Sequence, residues 1–225
     1  MTDSQGGSHR AARVGGVDWR CYVITSGSGG EVVAKAAAAA AAGAGVVQIR
    51  AKDLGTRALL ELTCAVARAV VAANPRTRVL VDDRADVAWA ARRRREPVHG
   101  VHLGWDDLHP RDARALLGRE AIIGLTTGTL ELVQAAQGLA DVVDYVGCGP
   151  FRPTPTKYSG RKPLGVDGYP PLVAATELPL IAIGSVTPDD VPRLAAAGVA
   201  GVALVRAVMD APDPAAVVRR VLASF

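Results

Sequence analysis

Polar side chains able to bind a phosphorylated ligand gather in a few short segments of the chain. The first is Gln48-Ile49-Arg50-Ala51-Lys52-Asp53. In extended backbone successive side chains point to opposite faces, so Gln48, Arg50 and Lys52 are expected on one side, as an anion clamp. Asp82-Asp83-Arg84 and His102-Leu103-Gly104-Trp105-Asp106-Asp107 follow. Asp83 and Asp107 are hard oxygen ligands that, with waters and phosphate oxygens, suit Mg²⁺. Asp82, next to a ligand position, is expected to turn away and pair with Arg84 or another cation. Thr126-Thr127 comes next, then the stretch Gly147–Gly168, which contains Thr154-Pro155-Thr156-Lys157. With four prolines, Lys157, Arg161 and Lys162, that stretch reads as a lid. Gly184-Ser185 precedes Thr187-Pro188-Asp189-Asp190, a helix start with a capping Thr, Pro at the first helical position and acids in the first turn. Its backbone N–H groups suit a second phosphate. Arg206 lies further on. The chemistry that fits is binding of a diphosphate through Mg²⁺, Arg50, Lys52 and Lys157, and of a separate phosphate near Gly184. No Ser/His/Asp order or activated cysteine is visible, and His102, inside an apolar run, is expected to be a hydrogen-bonded core residue rather than a catalyst.

These segments share one feature: each follows a short apolar run. The runs are Cys21–Thr25, Val46–Ile49, Val79–Val81, Gly100–Leu103, Ile122–Leu125, Val142–Val146, Leu180–Ile183 and Val202–Val205. They are nearly continuous in Val, Ile and Leu rather than alternating, as strands buried on both faces of a parallel sheet are. Helical patterns lie between them. Leu59, Leu62, Val66 and Val70 recur at three- and four-residue intervals, and Ala36–Ala42 has strong helix propensity with side chains small enough for close packing. Eight βα units in one chain predict a single-domain (β/α)8 barrel over residues 18–225, with a doubly wound open sheet as the alternative. In such a barrel the chemistry sits where the strands run out into the βα loops, which is where the polar segments fall.

Length and composition fit one ordered domain: 225 residues, 49% apolar and 21% charged. The Gly-rich, polar start, residues 1–17, has no apolar h-region and reads as a disordered leader. A formal charge of +4 is too small to argue for nucleic acid but compatible with anionic small molecules. The run Arg92–Arg95 reads as a solvated helix end. Three cysteines without C-x-x-C spacing point to a reducing compartment, hence the cytoplasm, and to no structural zinc. No apolar run is long enough to cross a membrane. The expected partners are small phosphorylated molecules, with homo-oligomerisation left open.

The sequence also resembles a known family. Val47-Gln48-Ile49-Arg50-Ala51-Lys52, Asp83-Arg84, Gly100-Val101-His102-Leu103-Gly104 with Asp107, Gly149-Pro150, Pro153-Thr154-Pro155-Thr156-Lys157 and Ala182-Ile183-Gly184 are similar, in that order, to the motifs of thiamine-phosphate synthase. The resemblance implies a Mg²⁺-dependent transferase that joins hydroxymethylpyrimidine diphosphate to a thiazole phosphate and releases pyrophosphate by a dissociative route. It implies roles too. Gln48, Arg50 and Lys52, with Ile49 and Ala51 in the same run, hold the pyrimidine diphosphate, as does position 82. Asp83 and Asp107 carry Mg²⁺. Thr126 stands where the family has a serine, and Lys157 meets the departing diphosphate. Thr154, Pro155 and Thr156 lie at the thiazole phosphate, with Gly184, Ser185, Val205 and Arg206 nearby. Arg50, Lys52 and Lys157 are thus the expected catalytic cations.

The chain departs from the family pattern in several places. Asp82 replaces an Asn, Trp105 a Gln, Ser185 a Gly and Arg206 a Ser, and the segment between Asp83 and Asp107 is longer. Two alternatives share the barrel: a thiazole tautomerase, which needs a general base but no diphosphate clamp, and a non-catalytic thiamine-phosphate-binding barrel.

Overall fold

The computed structural model describes residues 15–153 and 160–225. Eight parallel strands close into a barrel in sequence order. They are β1 (Cys21–Ile24), β2 (Val46–Ile49), β3 (Arg78–Asp82), β4 (Gly100–Leu103), β5 (Ile122–Thr127), β6 (Tyr145–Cys148), β7 (Leu180–Ala182) and β8 (Gly201–Leu204). Closure rests on β8 pairing with β1, with Tyr22 beside Ala203. The helices are α1 (Gly30–Ala41), α2 (Thr56–Ala73), α3 (Ala85–Arg93), α4 (Pro110–Leu117), α5 (Leu130–Gln137), α6 (Tyr169–Ala174), α7 (Val191–Ala196), α8 (Arg206–Met209) and α9 (Pro214–Leu222), with a 3₁₀ turn at Pro188–Asp190. The expected (β/α)8 barrel is the fold that forms.

Alternation along each strand divides the core in two. Outward-facing residues such as Val23, Val47, Ile49, Val81 and Leu125 pack with the helices in one large cluster. The alanine-rich α1 buries Ala36, Ala39 and Ala40, and α2 buries Leu59, Leu62, Val66 and Val70. Inward-facing residues fill the barrel: Tyr22 and Ile24 of β1, Val46 of β2, Leu80 of β3, Ile122 of β5, Tyr145 of β6, Ile181 of β7 and Ala203 of β8. Val17 and Trp19 belong to this inner cluster, and the Trp19 ring lies 4.7 Å from that of Tyr145. Of the leader expected over residues 1–17, residues 1–14 lie outside the described residues.

One strand is shifted from its expected place. The apolar run at Val142–Val146 supplies β6 only from Tyr145, because Asp144 is buried at its entry. Its Oδ2 accepts from the Ile123 amide and from Arg114 Nη2, each at 2.8 Å. Val142 and Val143 are buried in the preceding turn. The strand therefore runs on to Cys148.

Glycine makes room inside the barrel. A Cβ on Gly124 of β5 would sit 2.2 Å from the Tyr145 ring, so the large inward tyrosine depends on a bare neighbour in the same register.

Among the described residues no helix is long and apolar enough to cross a membrane.

Candidate active site

The carboxyl ends of the strands open into a cavity of about 450 Å³. Its floor is polar although it lies deep in the barrel. Gln48 of β2 and Asp82 of β3 are buried, and Arg50, just past β2, leans over them. Gln48 Nε2 donates to Asp82 Oδ1 and Arg50 Nη1 to Asp82 Oδ2, each at 2.5 Å. Gln48 Oε1 accepts from the Tyr22 hydroxyl at 2.6 Å. The Tyr22 and Tyr145 hydroxyls are 2.7 Å apart. Tyr145 meets His102 Nδ1 at 2.9 Å, and His102 Nε2 meets Thr126 Oγ1 at 3.0 Å. The register explains this: Asp82 of β3, His102 of β4, Gly124 of β5 and Tyr145 of β6 are successive neighbours across four strands. Trp105 reaches over the rim and donates its indole N–H to the Thr126 carbonyl at 2.7 Å.

Burial sets the protonation of this floor. It raises the Tyr22 and Tyr145 hydroxyls well above the ordinary tyrosine range, so both remain neutral. Burial, then the neighbouring Asp83 charge, pushes the Asp82 carboxyl up to about 6, against the pull of Arg50 and Lys52. Burial also pushes the Cys148 thiol up to about 11, so no thiolate nucleophile is available there.

Asp82 does not turn away. The expectation rested on alternation continuing through Asp83, but Asp83 has φ of 60°, in the left-handed region. β3 ends at Asp82 with its carboxylate inside the barrel. The kink at Asp83 then re-aims the next carboxylate to the rim, where it pairs with Lys52 Nζ at 2.8 Å. Arg84 pairs with Asp86 instead. The cation that Asp82 does take is Arg50, a member of the expected clamp.

The clamp itself is divided. Gln48 and Arg50 line the central cavity. Arg50, Ala51 and Lys52 line a flanking cavity of about 330 Å³ with Thr25, Ser26, Gly27 and Ser28 of the β1–α1 loop. β2 ends at Ile49, so strand alternation does not carry through to Lys52. Ile49 faces the helices and is buried in the outer core.

Asp83 and Asp107 are brought together. Asp107 Oδ2 accepts the Gly104 amide at 2.6 Å, and its carboxyl lies beside that of Asp83. Burial raises the Asp107 carboxyl above its ordinary range, with the Asp83 charge adding to it against the Gly104 amide. Two carboxylates in contact repel when both are ionised, and a divalent cation between them removes that repulsion. Asp82 pairs with Arg50 and Asp83 with Lys52. The donor set is hard oxygen and fits Mg²⁺. No group of three or more His, Cys, Asp or Glu forms a denser metal site among the described residues.

The central cavity is also lined by Gly184, Ser185, Val205 and Arg206, and Val205 lines the flanking cavity beside Arg50 and Lys52 as well. Gly184 and Ser185 both have positive φ, 109° and 53°. A Cβ at Gly184 would meet the Phe151 amide nitrogen at 2.8 Å, so glycine is required where this loop passes Pro150 and Phe151. Arg206 Nη2 donates to Ser185 Oγ at 3.3 Å, and Ser185 Oγ donates to the Pro153 carbonyl at 3.0 Å. Arg161 also lines the cavity and donates to the Thr127 carbonyl at 2.9 Å. Thr187 and Asp190 form a reciprocal capping box before α7. Thr154, Pro155, Thr156 and Lys157, with the tip of the expected lid, lie outside the described residues.

Tyr22 and Tyr145 carry no mark of the site in the sequence, and His102 reads there as core. His102 is hydrogen-bonded as expected, but it lines the cavity. The available signal was a polar tip at an inward register position, beside Gln48 and Asp82.

A closed (β/α)8 barrel with a strand-end cavity lined by Gln48, Arg50, Asp82 and Arg206 defines a class, an enzyme barrel with a small-molecule site. Comparison with known proteins narrows it. The chain belongs to the thiamine monophosphate synthase family, transferases of thiamine biosynthesis, whose family model matches residues 21–208. It is 58% identical to the thiamine-phosphate synthase of Corynebacterium jeikeium strain K411 over 209 residues, covering 93% of this chain and 95% of the relative. The thiamine-phosphate synthase of Corynebacterium efficiens is 57% identical, covering 92% and 95%. Among solved structures, thiamine phosphate pyrophosphorylase from Pyrococcus furiosus superposes with a TM-score of 0.79 at 27% identity, covering 93% of this chain and 96% of that one.

Proposed function

We propose that this barrel joins 4-amino-2-methyl-5-hydroxymethylpyrimidine diphosphate to 4-methyl-5-(2-phosphoethyl)thiazole, or to its carboxylated form with loss of the carboxyl group as CO2, giving thiamine phosphate and pyrophosphate. The observation that carries this reading is one cavity of about 450 Å³ lined by Arg50 and Arg206 together with the hydrogen-bonding groups Gln48, Asp82 and Thr126. The pyrimidine ring lies on the floor of Gln48, Asp82 and Thr126. Its diphosphate extends toward Arg50 and Lys52, with Ala51 beside them, and Lys157 is the further cation that neutralises it. The thiazole phosphate takes the Gly184, Ser185, Val205 and Arg206 end, approached by Thr154, Pro155 and Thr156.

The reaction needs little acid–base chemistry. The C–O bond to the diphosphate breaks first, its electron pair leaving with the diphosphate, and the exocyclic carbon becomes a cation stabilised by the aminopyrimidine. The thiazole nitrogen lone pair then forms the C–N bond. Arg50, Lys52 and Lys157 neutralise charge as it develops on the leaving oxygen, an effect strongest where water is scarce. Asp83 and Asp107 would hold Mg²⁺, which supplies further charge neutralisation at the diphosphate. Ile24, Ile181 and Ile183 line the same cavity and keep water from the cation. Against the isomerase alternative stands His102, whose two ring nitrogens are both engaged, by Tyr145 and Thr126.

Steady-state kinetics with both substrates test the two-ended arrangement. Arg206→Ala is expected to raise KM for the thiazole phosphate about tenfold, from loss of a charge-assisted phosphate contact, and to spare that for the pyrimidine diphosphate. Arg50→Ala is expected to do the reverse. Equal effects on both substrates from either variant would overturn the arrangement.

A further inference from the structure

We propose that Trp105 is a positioning residue: its indole N–H ties the turn that carries Asp107 to the end of β5, and so sets where the Asp107 carboxylate stands for a divalent cation. The proposal rests on the reading of Asp83 and Asp107 as metal ligands; the tie itself does not.

The two ends of the tie are built differently. β4 ends at Leu103, which pairs with Leu125, whereas β5 runs on through Thr126 and Thr127. The Thr126 carbonyl therefore lies past the last residue of β4, where it needs a donor from elsewhere. Trp105 Nε1 supplies it, at 2.7 Å. This end of β5 is held from several sides. Thr126 Oγ1 meets His102 Nε2 at 3.0 Å. Arg161 Nη1 donates to the Thr127 carbonyl at 2.9 Å, and Thr127 Oγ1 donates to the Gly147 carbonyl at 3.3 Å. A Cβ on Gly128 would sit 2.2 Å from the Gly149 carbonyl oxygen, so the backbone just past β5 passes close to that just past β6.

The turn is held more lightly. The Asp107 amide donates to the Gly104 carbonyl at 3.4 Å, and Asp107 Oδ2 accepts the Gly104 amide at 2.6 Å. Both bonds lie within the turn, and Trp105 and Asp106 are exposed. They fix its shape but not its place on the barrel. The bond from Trp105 to Thr126 fixes the place, because it reaches a neighbouring strand that is itself anchored. Since the turn closes on Asp107, a displacement of Trp105 carries the Asp107 carboxylate with it. The exposure of the ring agrees with this role. A tryptophan placed for packing is buried, as Trp19 is at 8%, whereas Trp105 is 39% exposed and contributes its N–H. Mg²⁺ demands ligand oxygens at about 2.1 Å in near-ideal octahedral geometry, so a turn free to swing costs affinity.

The test compares Trp105→Phe, which keeps a ring without an N–H, with Trp105→Gln, whose amide can donate to the same carbonyl. Mn²⁺, which takes the same oxygen ligands as Mg²⁺, is titrated into the full chain, and the free ion is followed by its EPR signal. This reads binding without turnover. Trp105→Phe is expected to raise the Mn²⁺ dissociation constant about fivefold or more, and Trp105→Gln to return it to within about twofold of wild type. Melting temperatures of both are expected to stay within a few degrees of wild type. In steady-state kinetics the Mg²⁺ concentration for half-maximal rate follows the same order, with KM for the thiazole phosphate unchanged. Wild-type Mn²⁺ affinity in Trp105→Phe overturns the proposal. So does a loss in Trp105→Gln as large as in Trp105→Phe, which would assign the effect to the ring rather than the N–H. Unfolding or a large fall in the melting temperature of Trp105→Phe would make Trp105 a support of the fold and overturn its positioning role as well. A wild type that binds no Mn²⁺ overturns the metal reading, and the positioning role with it.

Discussion

Asp83 and Asp107 show how much one backbone torsion decides. With φ of 60°, Asp83 leaves the strand direction and meets Asp107 and Lys52 at the rim. It does not cap α3, whose N-cap is Arg84 without a side-chain bond. Asp83→Asn and Asp107→Asn are thus expected to cost turnover, about a hundredfold or more, as removal of aligned charge at a developing leaving group does. Asn tolerates the left-handed region, so the melting temperature of Asp83→Asn should stay within a few degrees of wild type. Near-normal Mg²⁺-dependent rates in both variants would remove the metal assignment. A different residue governs acid stability. His99 is mostly buried, and its Nδ1 accepts the Val79 amide at 3.0 Å. Burial, then the Arg78 and Arg92 charges, pulls its pKa down to about 4. Between that value and the ordinary histidine pKa of about 6.5 the unfolded chain binds a proton that the folded chain refuses. Stability from His99 is present above about pH 6.5 and is lost as pH falls toward 4, by at most about 1.4 kcal/mol per pH unit. Urea unfolding at pH 7 and pH 5 checks this, and His99→Gln is expected to flatten the difference; an unchanged slope would show that other groups control it.

At the scale of elements, the strand ends act through their register. Asp82, His102 and Tyr145 share a level of the barrel because β3 to β6 pair in step. Gly124 is the bare position that lets the Tyr145 ring lie inward. Gly124→Ala would force that ring aside, at a cost of about 1–3 kcal/mol from overpacking. It is expected to raise KM for the pyrimidine diphosphate more than for the thiazole phosphate, because the floor moves and the Arg206 end does not. Crystal structures or tyrosine fluorescence of the variant, with kinetics on both substrates, check it; equal KM values to wild type would mean that the floor does not bind the ring. The eight apolar runs were legible because strands buried on both faces need continuous Val, Ile and Leu. The start of β6 was not, because Val142 and Val143 have strand composition while their amides donate to the Leu139 carbonyl, closing the end of the preceding helix. The inward tyrosines were hidden for a related reason: an aromatic within an apolar run looks like packing, and only the closed register turns its hydroxyl toward Gln48. The inward aim of Asp82 was missed because alternation holds only while φ stays extended. Arg206 and Ser185 were flagged from sequence, and both line the cavity.

The whole molecule gathers the candidate phosphate-binding residues of the proposed reaction around one barrel mouth, and no single βα unit supplies them all. Arg50 and Lys52 follow β2, the carboxylates follow β3 and β4, and Gly184, Ser185 and Arg206 follow β7 and β8. Barrel closure is what joins them. The family membership accounts for the shared architecture. The most direct measurement is product formation. The protein is incubated with the pyrimidine diphosphate, the thiazole phosphate and Mg²⁺, and pyrophosphate and thiamine phosphate are quantified together. The account predicts equal amounts of the two products, little of either when one substrate is left out, and a rate that collapses with a chelator and returns with added Mg²⁺. Pyrophosphate released at the same rate without the thiazole phosphate, or no thiamine phosphate with every component present, would contradict it.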